Sequence, residues 1–599
     1  MKLLRLKLNE PFRSLQEGFE LYFLRDWDRS ESTDVTDREF SPYILAGPNG
    51  SGKSNVLEVL AAIFYHLECQ YLTYRPEIFA FDEDTNPHGF SEEYAQPNAF
   101  ELEYLIPTPD RLQEGGADLT AHIKIVKTPD SGAQLLWLNN PAFGEEMPLS
   151  RLDAVEMLPE FVLGYSSGEN EILSLPFFKM RFIQLDEYLD TLKQDLPYAG
   201  RPESRQIYLD NAFSQAILLC NLLFEDDETL APFKQDVGIG DLQEFRIILK
   251  KRIEISAEQA KLYPEGFLIV EETDTEVKSY FLPILEKFES EPEPEPNSAL
   301  IFEPVINRLR RCATSYFQDD ETGCLYLDYL VNDATREAFK DNFASAIDLF
   351  QSFRILLTLN LYSVSDSLKK DLYRSNSLYA NETIPTLPSD ERIMRFKFVK
   401  FNKTDVPNAV MLKDLSDGEH QFLHSLGLCL LFKNSNSLFL LDEPETHFNP
   451  DWRSKFISRL RDCFKSMDSK LDEKNVQREM LITTHTPFLI SDSKPEQVLV
   501  FSKEDSVVDV KRPDYNTLGA SINKITLSTF GKKETIGGFA QQEMEKLKNR
   551  FEQGRYSDTD HDKHALIDEI NQQLGDSVEK VLFIKTILDS MADTKGTED

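Results

Sequence analysis

Gly47-Pro-Asn-Gly-Ser-Gly-Lys-Ser54 sets three glycines, a lysine and a hydroxyl in one short stretch, a combination suited to holding a polyphosphate. Gly47, Gly50 and Gly52 let the backbone take conformations closed to other residues and turn its N–H groups toward phosphate oxygens. Lys53 would reach the β- and γ-phosphates, and the Ser54 hydroxyl would ligate Mg²⁺. Asn49 and Asn55 are counted with them as nucleotide contacts. The plain alternative is a solvent-exposed glycine turn. Tyr43-Ile-Leu-Ala46 reads as a short buried strand running into the loop, and residues 55–64 carry apolar side chains at helical spacing, so strand, loop and helix follow in the order a P-loop requires.

Three further stretches carry chemistry. Phe439-Leu-Leu-Asp-Glu-Pro444 has the form of a buried parallel strand ending in two carboxylates. Asp442 is the expected Mg²⁺ ligand, directly or through water, and Glu443 is expected to polarise an attacking water. Adjacent strand residues face opposite ways, so the two acids can take separate roles only where the chain is already turning. Leu415-Ser-Asp-Gly-Glu-His-Gln421 opens a predicted helix over 419–432, where free N–H groups and the helix dipole favour an anion. Leu481-Ile-Thr-Thr-His-Thr-Pro487 ends a further strand on His485.

In this order the four stretches resemble the ABC-type ATPases, in the branch containing SMC, RecF and OLD-type proteins. The resemblance covers about residues 1–65 and 395–505. It implies that Ser416, Gly418 and Glu419 form the signature loop and contact the γ-phosphate held by the opposite subunit. ATP and Mg²⁺ would then sit between two chains. It also implies that Glu445-Thr-His-Phe-Asn-Pro450 is the D-loop and that His485 senses the γ-phosphate. Phe12-Arg-Ser-Leu15 resembles the N-F-R-x-F segment of SMC and RecF proteins, in which the arginine packs near the nucleotide, making Arg13 a candidate. A second apparent pair, Gly164-Tyr-Ser-Ser-Gly-Glu169 followed by Phe182-Ile-Gln-Leu-Asp-Glu187, has no second P-loop before it and is read as coincidence or lobe architecture. Gln184 within it is a candidate Q-loop ligand of Mg²⁺.

The chain has 599 residues, is 41% hydrophobic and bears a net charge of −38. That acidity repels phosphate backbones, so nucleic acid is possible but not evident as a partner. Lys250-Lys-Arg252, Arg308-Leu-Arg-Arg311 and Lys546-Leu-Lys-Asn-Arg550 are the basic clusters that such binding would call on, and each is equally an ordinary solvated face. No long apolar run or signal-type leader appears, which argues against a membrane and for the cytoplasm. Six cysteines without C-x-x-C pairing support neither a zinc hook nor a disulfide framework.

The expected architecture is an α/β fold: a P-loop ABC-type ATPase head, with a mixed sheet, flanking helices and an antiparallel lobe, plus a large inserted, mainly helical lobe and a helical C-terminus. Residues 1–195 would form the first half of the head and 196–390 the insertion, a compact helical arm divided by a Glu-Pro linker at 289–298. Residues 391–510 would complete the head, and 511–599 would form the helical C-terminal region. The motifs are close to those of prokaryotic defence ATPases associated with restriction, retron and Septu-type systems. That likeness implies an ATPase acting as a homodimer or higher even oligomer and regulating a separately encoded nuclease or effector. The alternatives are a RecF-like repair ATPase that binds DNA itself and an OLD-type ATPase-nuclease. For the latter, Asp558-Thr-Asp560 matches a metal-binding D-x-D, though only literally, since it sits in a polar loop with no apolar strand before it.

Overall fold

The computed structural model describes residues 1–24, 40–113, 119–140, 147–168, 170–193, 204–261, 263, 266, 268–272, 278–283, 305–377, 384–468, 476–531, 536–553 and 560–595. The linker at 289–298 lies outside them, as do Glu169 and Asp558.

A seven-stranded sheet forms the centre. Its spatial order is Val507–Lys511, Val498–Glu504, Tyr43–Ala46, Glu479–Thr484, Ser437–Asp442, Phe161–Ser166 and Gln206–Tyr208. Every pairing is parallel except the one between Val498–Glu504 and Val507–Lys511. The three middle strands are buried along their whole length, which is why they read as unbroken apolar runs. Segments more than 400 residues apart in sequence thus lie side by side. The P-loop strand, the Walker B strand and the His485 strand all end at the same edge of the sheet.

Helix Lys53–Tyr71 covers one face of this sheet. Beyond it lies an antiparallel sheet in the order Glu20–Tyr22, Lys2–Leu8, Phe100–Pro107, Thr120–Lys127 and Gln134–Trp137. Their apolar sides, including Leu6, Val59, Phe100, Ile123 and Leu440, make one core. On the other face, helices Asn211–Phe224, Asp417–Leu431 and Pro450–Asp468 share a second, larger core with the insertion.

The helices of the insertion are broken by serine caps. Within the insertion, Asp333–Asn342, Ala346–Thr358 and Asp366–Arg374 follow one another, the second and third starting at Ser345 and Ser365. The insertion also contains sheets that the sequence reading did not anticipate. One runs Ser315–Asp319, Cys324–Leu330, Ile239–Lys250, Met394–Lys403, Val410–Met411, antiparallel throughout, and so joins residues on both sides of the expected boundary at 390. The insertion is pinned to the head by polar contacts. Asn221 Nδ2 donates to the carbonyl of Gly427 in the signature helix at 2.9 Å, and Tyr373 donates to Asp186, which also pairs with Lys369.

Helix Ile522–Phe530 ends on Gly531 in a left-handed conformation. Three further helices, Gly538–Glu552, Asp560–Gln573 and Val578–Lys595, make a small core of their own. No helix among the described residues is long and apolar enough to cross a membrane.

Candidate nucleotide site

The loop from Gly47 to Gly52 wraps the N-terminus of helix Lys53–Tyr71, with Gly47, Gly50 and Gly52 all at positive φ. At Gly47 a Cβ would stand 2.4 Å from the carbonyl oxygen of Phe501, so only glycine fits there. Lys53 folds back into the loop, donating to the carbonyls of Gly47 and Pro48 at 3.0 Å each. Burial pushes its ammonium down to about 8. Ser51 Oγ is buried in the same loop without a hydrogen-bond partner. A desolvated ammonium, an orphaned hydroxyl and a helix N-terminus suit a bound triphosphate. Asn49 and Gly50 are exposed at the tip of the loop.

Asp442 is the hub. Its Oδ1 accepts from Ser54 Oγ at 2.8 Å and from Thr483 Oγ1 at 2.6 Å, and its Oδ2 accepts from Asn170 Nδ2 at 2.8 Å. Hydrogen bonds to a charged acceptor contribute about 1.5–3 kcal/mol each. Behind it, Asn55 Nδ2 donates to Glu58 at 2.7 Å, while Asn170 shares its amide with Glu58 at 3.3 Å. The Ser54 and Asp442 oxygens, with no soft ligand beside them, suit Mg²⁺.

Glu443 leaves the strand in a left-handed conformation, φ 49°, held by its N–H donating to Thr483 Oγ1 at 3.0 Å. That turn separates the two acids. The Glu443 carboxylate meets His485 Nε2 at 2.6 Å, and this hydrogen bond holds the carboxyl below its usual range. Two residues on, Glu445 is buried and accepts from Thr484 Oγ1, and burial pushes it up to about 7. The D-loop therefore touches the residue next to His485.

Ser416 caps the signature helix. Its Oγ accepts from the N–H of Glu419, whose carboxylate returns to the Ser416 N–H and hydroxyl and pairs with Lys403. Ser416 is exposed. Gly418 lies so close to the D-loop that a Cβ would sit 2.8 Å from the carbonyl of His447. Gln421 Oε1 accepts from the His447 N–H at 2.8 Å, fastening signature helix to D-loop.

Two expected residues are not brought to this cluster. Gln184 lies buried in the interior of helix Glu171–Lys193, about 20 Å along the axis from Asn170, and its segment is helix rather than a strand end. Arg13 stands beside the loop, since Ser14 Oγ donates to Asn55 Oδ1 at 2.5 Å, but its guanidinium turns to the carbonyl of Asn376 in the insertion. Asn170 was missed, although it occupies the place foreseen for Gln184. It follows strand Phe161–Ser166, whose end pairs with Asp442, and its Oδ1 accepts from the N–H of Leu173 like any helix cap. An asparagine at the end of that strand was the available signal. Of the D-x-D acids, only Asp560 is described, at the start of a helix. The basic clusters are largely committed within the chain: Arg252 pairs with Glu271, Arg308 with Asp348 and Arg550 with Glu569.

Fold and site together define a P-loop ATPase of the ABC type. The chain belongs to the family described as "AAA domain, putative AbiEii toxin, Type IV TA system", whose model matches residues 171–491, more than half of the length. A curated relative, protein ea59 of Escherichia phage lambda, is 26% identical over 125 residues, 21% of this chain; the chain spans only 22% of that protein's length. Among solved structures, an Smc head bound to the C-terminal winged-helix domain of ScpA aligns over 85% of this chain and 98% of its own, at 11% identity and a TM-score of 0.31. An Smc head with an extended coiled coil, bound to the ScpA C-terminal domain and derived from Pyrococcus furiosus, aligns over 85% and 96% at 12% identity and a TM-score of 0.29.

Proposed function

We propose that this chain binds and hydrolyses ATP and dimerises head to tail around it. The proposed role of that cycle is to regulate a separately encoded effector, a nuclease, in defence against phage, within the cytoplasm. The observation that carries the ATPase reading is the divergence of the two acids: Asp442 turns to Ser54 while Glu443 turns out to His485.

Lys53, the loop N–H groups and the orphaned Ser51 hydroxyl hold the triphosphate. Ser54 and Asp442 would hold Mg²⁺, which would supply charge neutralisation at the phosphate oxygens. Asn170 and Thr483 keep Asp442 in place. Glu443, ionised through its bond to His485, accepts the proton of a water whose oxygen attacks the γ-phosphorus, and ADP leaves. The exposed cap at Ser416 and Gly418 receives the γ-phosphate of a second protomer, and its tie to the insertion through Gly427 and Asn221 carries closure outward. The defence role rests on the likeness of the motifs to defence ATPases and on the toxin–antitoxin description of the family, both associations rather than geometry.

Glu443→Gln keeps the shape of the side chain and removes the base. Expected is a turnover loss on the order of 100-fold or more, with ATP binding retained and an ATP-dependent dimer detectable by light scattering. Parental turnover in that variant contradicts the assignment of Glu443. A stable complex with the product of a neighbouring gene, and nuclease activity only in that complex, is the expected outcome for the effector.

A further inference from the structure

The antiparallel sheet of the insertion has a second face that the core does not use. Phe245, Ile247, Leu249, Leu325, Leu327 and Tyr329 point into the core, so Arg246, Tyr326 and Asp328 point out. Register aligns this outer face across four strands: Phe317 stands opposite Tyr326, Asp328 opposite Arg246, and Arg246 opposite Lys397.

At Lys397 the ladder slips, and a bulge throws Phe398 outward. Phe398 has φ 55° and is 42% exposed. A bulky aromatic in the left-handed region is strained, and its ring gains no burial in exchange. Bulges re-aim side chains next to functional surfaces. Cations surround the ring: Lys397 lies 5.1 Å from its centroid, and Arg246 and Lys400 each lie 5.7 Å away. The Arg246 guanidinium also stands 5.5 Å from the Tyr326 ring, which lies 6.2 Å from that of Phe317, itself 63% exposed. Phe317, Tyr326, Arg246 and Phe398 therefore form one continuous platform.

On a chain of net charge −38, this face carries Arg246, Arg395, Lys397 and Lys400, with Arg246 held by Asp328 and Lys400 by Glu244. Alternating rings and cations on a flat sheet answer two features at once, planar bases and phosphates. A duplex offers only its backbone to such a surface, because its bases are stacked on one another. An acidic peptide would use the cations and leave the rings unanswered. We infer that this face binds single-stranded nucleic acid, its bases stacking on Phe317, Tyr326 and Phe398 while Lys397 meets the phosphates and Arg246 and Lys400 join it by exchanging Asp328 and Glu244 for them. None of these residues belongs to the ATP site, although strand Met394–Lys403 ends on Lys403, which pairs with Glu419 of the signature loop.

The test uses the full chain and fluorescein-labelled oligo-dT and oligo-U of about 20 nucleotides, read by anisotropy at ~50 and ~200 mM salt. Expected is saturable binding of at least one of the two strands, weakening about tenfold or more at the higher salt. Phe398→Asn keeps a residue tolerant of the left-handed backbone and removes the ring; Lys397→Glu reverses an exposed charge. Each is expected to weaken binding about tenfold with an unchanged melting temperature. The inference is overturned by no saturable binding at low salt, by equal affinity for a duplex of the same length, by displacement of the strand with polyglutamate at matched charge, or by parental affinity in both variants.

Discussion

Asp442 takes three hydrogen bonds from its own chain, whereas Ser416 stands exposed with only the cap of its own helix for company. The half built on the P-loop and Asp442 is packed and desolvated, with the Ser51 hydroxyl left without a partner in the loop. The signature half is a rigid surface: Gly418 is pressed on the D-loop, Gln421 is bonded to His447, and the helix N-terminus is open to solvent. One half is complete within a protomer, while the other has the form of a docking face for a second.

Ser416→Arg puts bulk and charge on the open half alone. The capping box would be lost at a cost of about 1 kcal/mol, too little to unfold a domain of ordinary stability. ATP binding should stay near parental, while the ATP-dependent dimer disappears and turnover falls on the order of 10–100-fold. Sedimentation with and without ATP checks it, and a dimer that forms normally would erase the distinction between the halves.

Asn170→Ala probes the packed half. Removing one of the donors that fix Asp442 should raise the Mg²⁺ concentration needed for half-maximal turnover by about tenfold, as loss of an outer-shell partner does at metal sites. Gln184→Ala, out of reach in the same helix, should leave that requirement unchanged.

The smallest effect concerns the frame rather than the site. Glu68, on the P-loop helix, is buried and accepts from the Arg205 N–H at 2.6 Å, and burial pushes its carboxyl up to about 7 from 4.5. A raised folded-state value means that its contribution is full below pH 4.5 and is lost as pH rises through about 7. Glu68→Gln can still accept from Arg205, so it should stabilise the protein by roughly 2–3 kcal/mol near pH 8 and by almost nothing near pH 4.5. Thermal melts at the two pH values read this directly.

The parts legible in the sequence were those whose chemistry is local. A glycine loop between strand and helix, and a buried strand ending in two acids, declare themselves within a dozen residues. Parallel burial also made the central strands plain. The insertion was harder because pairing decides it: Ile239–Lys250 carries apolar residues at 239, 242 and 245, then at 247, 248 and 249, a pattern that changes period midway. Its partner Met394–Lys403 lies some 150 residues downstream, and no local propensity reports such a contact. Gln184 misled for the opposite reason. The apolar run around it belongs to a helix buried on several sides, where Asp186 serves Lys369 and Tyr373 rather than a metal. Asn170 escaped notice because an asparagine before a helix is so commonly a cap, and here it is a cap as well.

The most direct measurement mixes two inactive proteins. Lys53→Ala removes the lysine of the packed half and Ser416→Arg blocks the open half, so neither variant alone should hydrolyse ATP appreciably. In a head-to-tail dimer the mixed pair rebuilds one intact site, from the Walker half of the Ser416→Arg chain and the signature half of the Lys53→Ala chain. Equimolar mixing should then restore up to about half of the parental turnover, since neither variant is expected to pair with itself around ATP and each mixed dimer holds one working site of two. A mixture as inactive as its components would contradict the shared site.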